Sequence, residues 1–253
     1  MRIIDVNCLY GHWPFRHVPG ESIAETTTAA ASHGIDVMLL SSLNAIFYRD
    51  CYEGDEELHN VLPQNAYHIM TIDPSVPTFE DDLKCGLSQF RLKGVKIFPT
   101  YHNFDLKDSS VTRLIDILTE MDIPLMLAMQ IEDPRLCHMC FPSSVPVHSV
   151  ESMVQNNKKI PIVLLNCINP MLNELSNIAA QYGNLYFDTS GLRYDLETIN
   201  KMVKKWSSER ILYGSQAPLY CRKSTLNLVF KDNVPEDIQH RILYKNAEEL
   251  FSI

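Results

Sequence analysis

Lys96, Gln216 and a set of side-chain amides are the residues of this chain whose types and positions point to chemistry. Gln216 falls in Arg210-Ile211-Leu212-Tyr213-Gly214-Ser215-Gln216-Ala217-Pro218, where an apolar run stops at Gly214 and a polar pair follows. The run is short enough for a buried strand, and Gly214 is expected to let the backbone turn sharply where it ends. Ser215 and Gln216 would then sit at the strand's carboxyl tip. Apolar runs ending in polar residues recur along the chain, and the same reading places Asn7, Asn44, Asp73, Lys96, Gln130, Asn166 and Ser190 at other strand tips. Tyr101, His102, Arg135 and Arg193 fall on the loops that follow. Amides dominate this set. Histidines, which a zinc or iron site would need, are nearly absent from it.

An ammonium at Lys96 would bind a substrate carboxylate or activate a carbonyl. Val95 and Ile97 should face the other way, so Lys96 is expected on the ligand side rather than reaching solvent. Tyr101-His102 would supply an acid–base pair, unless they are only a surface loop. Arg135, in Glu132-Asp133-Pro134-Arg135, either clamps an anionic substrate or pairs with its acidic neighbours to brace the loop. In His12-Trp13-Pro14-Phe15-Arg16, His12 or Arg16 would be the polar contact of a ligand-enclosing loop, although packing of Trp13 and Phe15 over a rim is the commoner outcome. Arg193 is a second candidate anion contact. Cys8 should point away from Asn7 and pack as a small apolar group.

The elements that would position these residues alternate. Strands are expected over residues 2–6, 35–40, 66–72, 94–98, 124–129, 160–165, 185–187 and 211–213, and helices over 22–32, 55–62, 78–90, 109–121, 149–156, 171–182 and 196–206, with a last helix from Pro235. Ser22 followed by Glu25 makes a capping box for the first helix. The loop from Gln130 to Pro146 is long enough to suggest a lid or a binding role. About eight strand–helix units in 253 residues, with no internal linker, predict one α/β domain over residues 1–253, a single (β/α)8 TIM barrel whose ligand site is the mouth at the strands' carboxyl ends. No GxGxxG follows the first strand, which weighs against a dinucleotide-binding fold.

A formal net charge of −9, without a run of Lys or Arg, argues against nucleic acid and anionic membrane as partners. The first residues read as a strand, not as a signal peptide or a membrane span. Seven scattered cysteines, an odd number, suggest free thiols and a cytoplasmic location. Cys137-His138-Met139-Cys140 has the spacing of half a zinc knuckle but lacks a second pair.

Several pieces together resemble the amidohydrolase superfamily, in its amidohydrolase-related branch: Ile4-Asp5-Val6-Asn7, Gly94-Val95-Lys96-Ile97-Phe98-Pro99, Asp188-Thr189-Ser190-Gly191, the Arg210–Pro218 stretch, and the closing Ile242-Leu243-Tyr244-Lys245-Asn246-Ala247-Glu248-Glu249-Leu250-Phe251. Their order spans the whole chain. The resemblance implies a TIM barrel and a metal-dependent hydrolase or nonoxidative decarboxylase of small carboxylated compounds, with a homodimer as a further expectation. The departures from the family pattern fall on its metal ligands. The first-strand His-x-His is replaced by Asn7 and Leu9, the fifth- and sixth-strand histidines by Gln130 and Asn166, and the strand-eight aspartate by Gln216. Amide oxygens lack the charge or imidazole nitrogen that offsets an ion's desolvation, so no metal and no cofactor are expected. The reading is a metal-independent hydrolase of a small carboxylated ester, lactone or amide, with Lys96, His102 and Gln216 at the reacting centre. Asn7, His12, Arg16, Tyr101, Gln130, Arg135, Asn166 and Arg193 would surround the substrate. The alternatives are a pseudoenzyme that binds a ligand or protein partner, and a metal-dependent hydrolase or decarboxylase of the same superfamily.

Overall fold

Short, near-continuous apolar runs are what strands buried on both faces require, and the computed structural model, which describes residues 1–20, 22–136, 142–192 and 197–253, shows eight of them. They are β1 (Ile4–Tyr10), β2 (Val37–Ser42), β3 (Ala66–Thr71), β4 (Leu92–Ile97), β5 (Leu125–Ala128), β6 (Ile162–Leu165), β7 (Leu185–Asp188) and β8 (Ile211–Leu212). All neighbours pair in parallel and in chain order. Backbone bonds from Val6 N to Tyr213 O (3.0 Å), Leu9 N to Ala217 O (2.8 Å) and Gln216 N to Asn7 O (2.7 Å) carry β8 back to β1. The result is the expected (β/α)8 barrel.

The strands have two apolar faces. Ile4, Val6, Leu39, Ile69, Met126, Val163, Leu165 and Leu212 fill the inside. Cys8, Met38, Leu40, Val95, Ile97, Leu127 and Leu164 face outward, into the larger core beneath the helices. The side-chain period of two would put Asn7 outside, opposite Val6. A register shift between Asp5 and Cys8 interrupts the β1–β2 pairing, and such a bulge turns a side chain to a new face. Asn7 consequently points into the mouth, while Cys8 packs outside as expected. The bulge also lets β1 run on to Tyr10, well past the expected end at residue 6.

Ser22 caps the first helix (Ile23–Ser32) by accepting from Glu25 N at 3.2 Å. The helix Cys51–Val61 starts earlier than expected because Asp50 caps it, accepting from Tyr52 N at 2.9 Å. Between β8 and the C-terminus lies an unanticipated helix, Arg222–Lys231. Cys137 and Cys140 lie outside the described residues. Among the described residues, no helix is long and apolar enough to cross a membrane.

Candidate active site at the barrel mouth

The strand tips converge on a buried polar cluster with Asn7 at its centre. Its Oδ1 accepts from Lys96 Nζ at 2.9 Å, and its Nδ2 donates to Asp188 Oδ2 at 2.8 Å. One neutral amide therefore stands between a buried ammonium and a buried carboxylate. Lys96 donates a second bond to Ser41 Oγ at 2.8 Å and lies 5.7 Å from the centre of the Phe98 ring. Burial pulls the Lys96 ammonium down to about 8, opposed by the negative charge of Asp188. Burial pushes Asp188 up to about 6, although hydrogen bonds from Asn7, Ser190 and the Asn166 backbone favour its charged form.

Asp188 ends β7 and accepts from three donors: Asn7 Nδ2, Ser190 Oγ at 2.9 Å and Asn166 N at 2.9 Å. Gly214 makes room for it. A Cβ at position 214 would stand 2.2 Å from Asp188 Oδ2. The left-handed residue of this stretch is Gln216, at φ +54°, and not Gly214, a conformation uncommon for a residue with a Cβ. Asn166 shares it, at +52°. Positive φ at the tips of β6 and β8, on either side of β7, is the kind of local strain that gathers at functional sites.

Gln216 joins the cluster on both sides. Its Nε2 donates to Ile131 O at 2.5 Å, and its Oε1 lies 3.3 Å from Asn7 Nδ2 and 3.4 Å from Ser190 Oγ. Asn166 Nδ2 donates to the carbonyls of Gln130 and Ile131, both at 3.1 Å. Ser215 turns outward, where its N and Oγ bind Asp5 at 2.9 and 2.6 Å.

The remaining expected contacts are not brought to this cluster. His102 Nε2 bonds Ile46 O at 3.1 Å and Nδ1 lies 4.0 Å from Asp73, so the short turn Pro99–His102 carries it away from Lys96. Burial lowers its pKa. Tyr101 packs against Phe47, ring centres 5.9 Å apart. His12 is exposed on the rim, its backbone N held by Asn44 Oδ1 at 3.0 Å. Arg16 spans two loops, bonding Glu132 Oε1 and Leu219 O, each at 2.9 Å. Arg135 forms a fork with Asp133 at 2.8 and 2.6 Å, the bracing arrangement. Arg193 lies outside the described residues.

The mouth is also covered. Leu9, Trp13, Leu43, Ile46, Phe98, Ala128, Ile131 and Leu219 form an apolar layer above the polar cluster. Trp13 meets Phe15 and Phe47 edge-on at 5.2 and 5.4 Å. The cavity left beneath, lined by Asn7, Leu9, Lys96, Gln130, Ile131 and Gln216 among others, holds about 10 Å³, room for about one water.

A parallel barrel with a polar mouth at its strand tips defines a class of enzyme-bearing scaffolds. Within that class, the family model described as amidohydrolase matches residues 45–253, and the chain belongs to that family. No curated protein sequence matches it significantly. Solved structures share the fold over the full chain at low identity. An uncharacterized TIM-barrel protein from Bordetella bronchiseptica is 14% identical with a TM-score of 0.80, covering 100% of this chain and 99% of its own. 5-Carboxyvanillate decarboxylase from Sphingomonas paucimobilis gives 14% and 0.72, with coverage of 100% and 99%. A candidate 2-pyrone-4,6-dicarboxylic acid hydrolase from Pseudomonas putida gives 13% and 0.69, with coverage of 99% and 97%.

The superfamily resemblance raises a catalytic metal, and the residues present do not fit one. Among the described residues, no three His, Cys, Asp or Glu side chains converge as ligands would. Asp188, the carboxylate that reaches the cluster, already accepts from three donors. The nearest cation-binding candidates beside it are neutral amides, and an ammonium stands one amide away.

Proposed function

We propose that the protein is a metal-independent hydrolase of a small carboxylated ester, lactone or amide. The observation that carries this reading is the Lys96–Asn7–Asp188 row, an ammonium and a carboxylate held apart by one amide at the strand tips. Lys96 binds the substrate's carboxylate or carbonyl oxygen. Asn7, Gln130 and Gln216 offer neutral donors and acceptors that orient it. Gln216 cannot act as a base. That role passes to Asp188, which takes the proton of an attacking water through the Ser190 hydroxyl, 2.9 Å from its Oδ1. Hydrolysis then requires only a placed water and an oxyanion donor. The names of the structural neighbours, a carboxyvanillate decarboxylase and a pyrone dicarboxylic acid hydrolase, support a carboxylated substrate.

A screen of lactones, esters and amides bearing a carboxylate, run beside Lys96→Ala and Asp188→Asn, tests the proposal. Turnover that both substitutions abolish supports it, and turnover that survives Asp188→Asn refutes the assigned base. A second reading, a binder without turnover, is favoured by Gln216, an amide at the tip of β8 that is hydrogen-bonded to Ile131 O and cannot act as a base. It predicts thermal stabilisation by carboxylates with no product formed.

A further inference from the structure

The top of the mouth is sealed, but its flank is not. Trp13, Phe15 and Phe47 close the top edge-on, and Arg16 straps the loop that carries Trp13 and Phe15 to Glu132 and to the Leu219 carbonyl. Outside β1 and β8, between the helix Ile23–Ser32 and the segment 217–222, lies a groove of about 1030 Å³ with a mainly apolar lining, a size suited to a small-molecule ligand. Leu9 lines both this groove and the mouth cavity. Its aliphatic side chain is held there by packing alone, with no hydrogen bond to break.

We propose that this groove is the entry vestibule of the site, taking a small carboxylate with an apolar body that passes over the barrel rim at Leu9 to reach Lys96. Val18, Ala29 and Pro218 supply apolar wall. Arg222 supplies the recognition of the anion. It is 6% exposed yet lines the groove. Its Nε lies 3.3 Å from Asp5, which already takes two shorter bonds from Ser215, and its Nη2 lies 3.6 Å from Cys8 Sγ. Nη1 has no partner among the described residues and is available to a carboxylate.

This inference rests on the mouth being a ligand site, but its test needs no turnover. The probe is 4-carboxybenzaldehyde, whose carbonyl condenses with an amine to an imine and water. Cyanoborohydride then reduces the imine to a stable secondary amine that peptide mass spectrometry reads at each lysine. Exposed Lys84 is the internal standard. Ala29→Trp and, separately, Ser32→Trp fill the groove from the exposed face of the first helix, and far-UV circular dichroism confirms that each variant is folded. Labelling of Lys96 relative to Lys84 falls at least about tenfold in both, while Phe47→Ala, which opens the top, leaves it unchanged. Unchanged labelling in the groove variants, faster labelling in Phe47→Ala, or no labelling of Lys96 in the unsubstituted protein each overturns the vestibule. Labelling that behaves as expected in a protein without turnover sinks the hydrolase reading alone.

Discussion

Replacing Lys96 by Met removes the buried ammonium and keeps most of its volume, and the consequence is clearest in the pH dependence of stability. Burial lowers the Lys96 pKa from 10.5 to about 8. In the unfolded chain the amine holds its proton up to the higher value, so above about pH 8 the folded state binds fewer protons than the unfolded one. Stability then rises with pH across that window, and below it the full cost of burying the charge is present. Between about pH 7 and about pH 9.5 the expected gain from this one group is about 2 kcal/mol, from the linkage relation with those two pKa values. Urea unfolding at stepped pH, analysed as wild type minus Lys96→Met, cancels the titration of every other group that the substitution leaves alone. The difference should climb by about 2 kcal/mol in favour of the wild type over that range. Parallel stability curves would refute the buried, charge-bearing placement of Lys96.

The same logic runs the other way for Asp188. Its pKa of about 6 lies above the ordinary 3.8, so it makes the protein more stable as pH falls from about 6 toward about 4, and Asp188→Asn should remove that slope. Gly214→Ala places a methyl against Asp188 Oδ2 and should cost about 1–3 kcal/mol in urea unfolding. Arg16→Ala frees the β1 loop. With the arginine about a third exposed, the stability loss should be about 1 kcal/mol, with faster hydrogen exchange in residues 11–20 as the more sensitive readout. Treatment with a chelator followed by dialysis should leave turnover unchanged, read by activity before and after.

The barrel was legible because each strand is a short apolar run closed by a polar residue, and that rhythm survives without detailed packing. What escaped was local. The extent of β1 depends on a bulge that no composition signal marks, and the helix Arg222–Lys231 buries Arg222 and Thr225 beside Leu226 and Val229, which blurs its apolar stripe. At the site, Asn7, Lys96, Gln130, Asn166 and Gln216 could be picked out because strand tips of a parallel barrel converge whatever the loops do. Asp188, two residues before Ser190, is not among the expected strand tips. The signal was available: a lone carboxylate closing an apolar strand, matched by a glycine at position 214 whose missing Cβ makes its space. Loop residues were harder. Tyr101 and His102 are aimed by a single helical turn, while Arg16 and Arg135 are engaged by Glu132 and Asp133 within loops whose course the sequence does not specify.

The proposed hydrolysis rests on Lys96 and Asp188, held apart by Asn7. It is tested most directly by kcat/KM against pH in chelator-treated protein, once the screen yields a substrate. With Asp188 needed as carboxylate and Lys96 as ammonium, the account predicts a bell with limbs near the two groups' values of about 6 and about 8. A flat profile, or activity that returns only on adding a divalent metal, would contradict it.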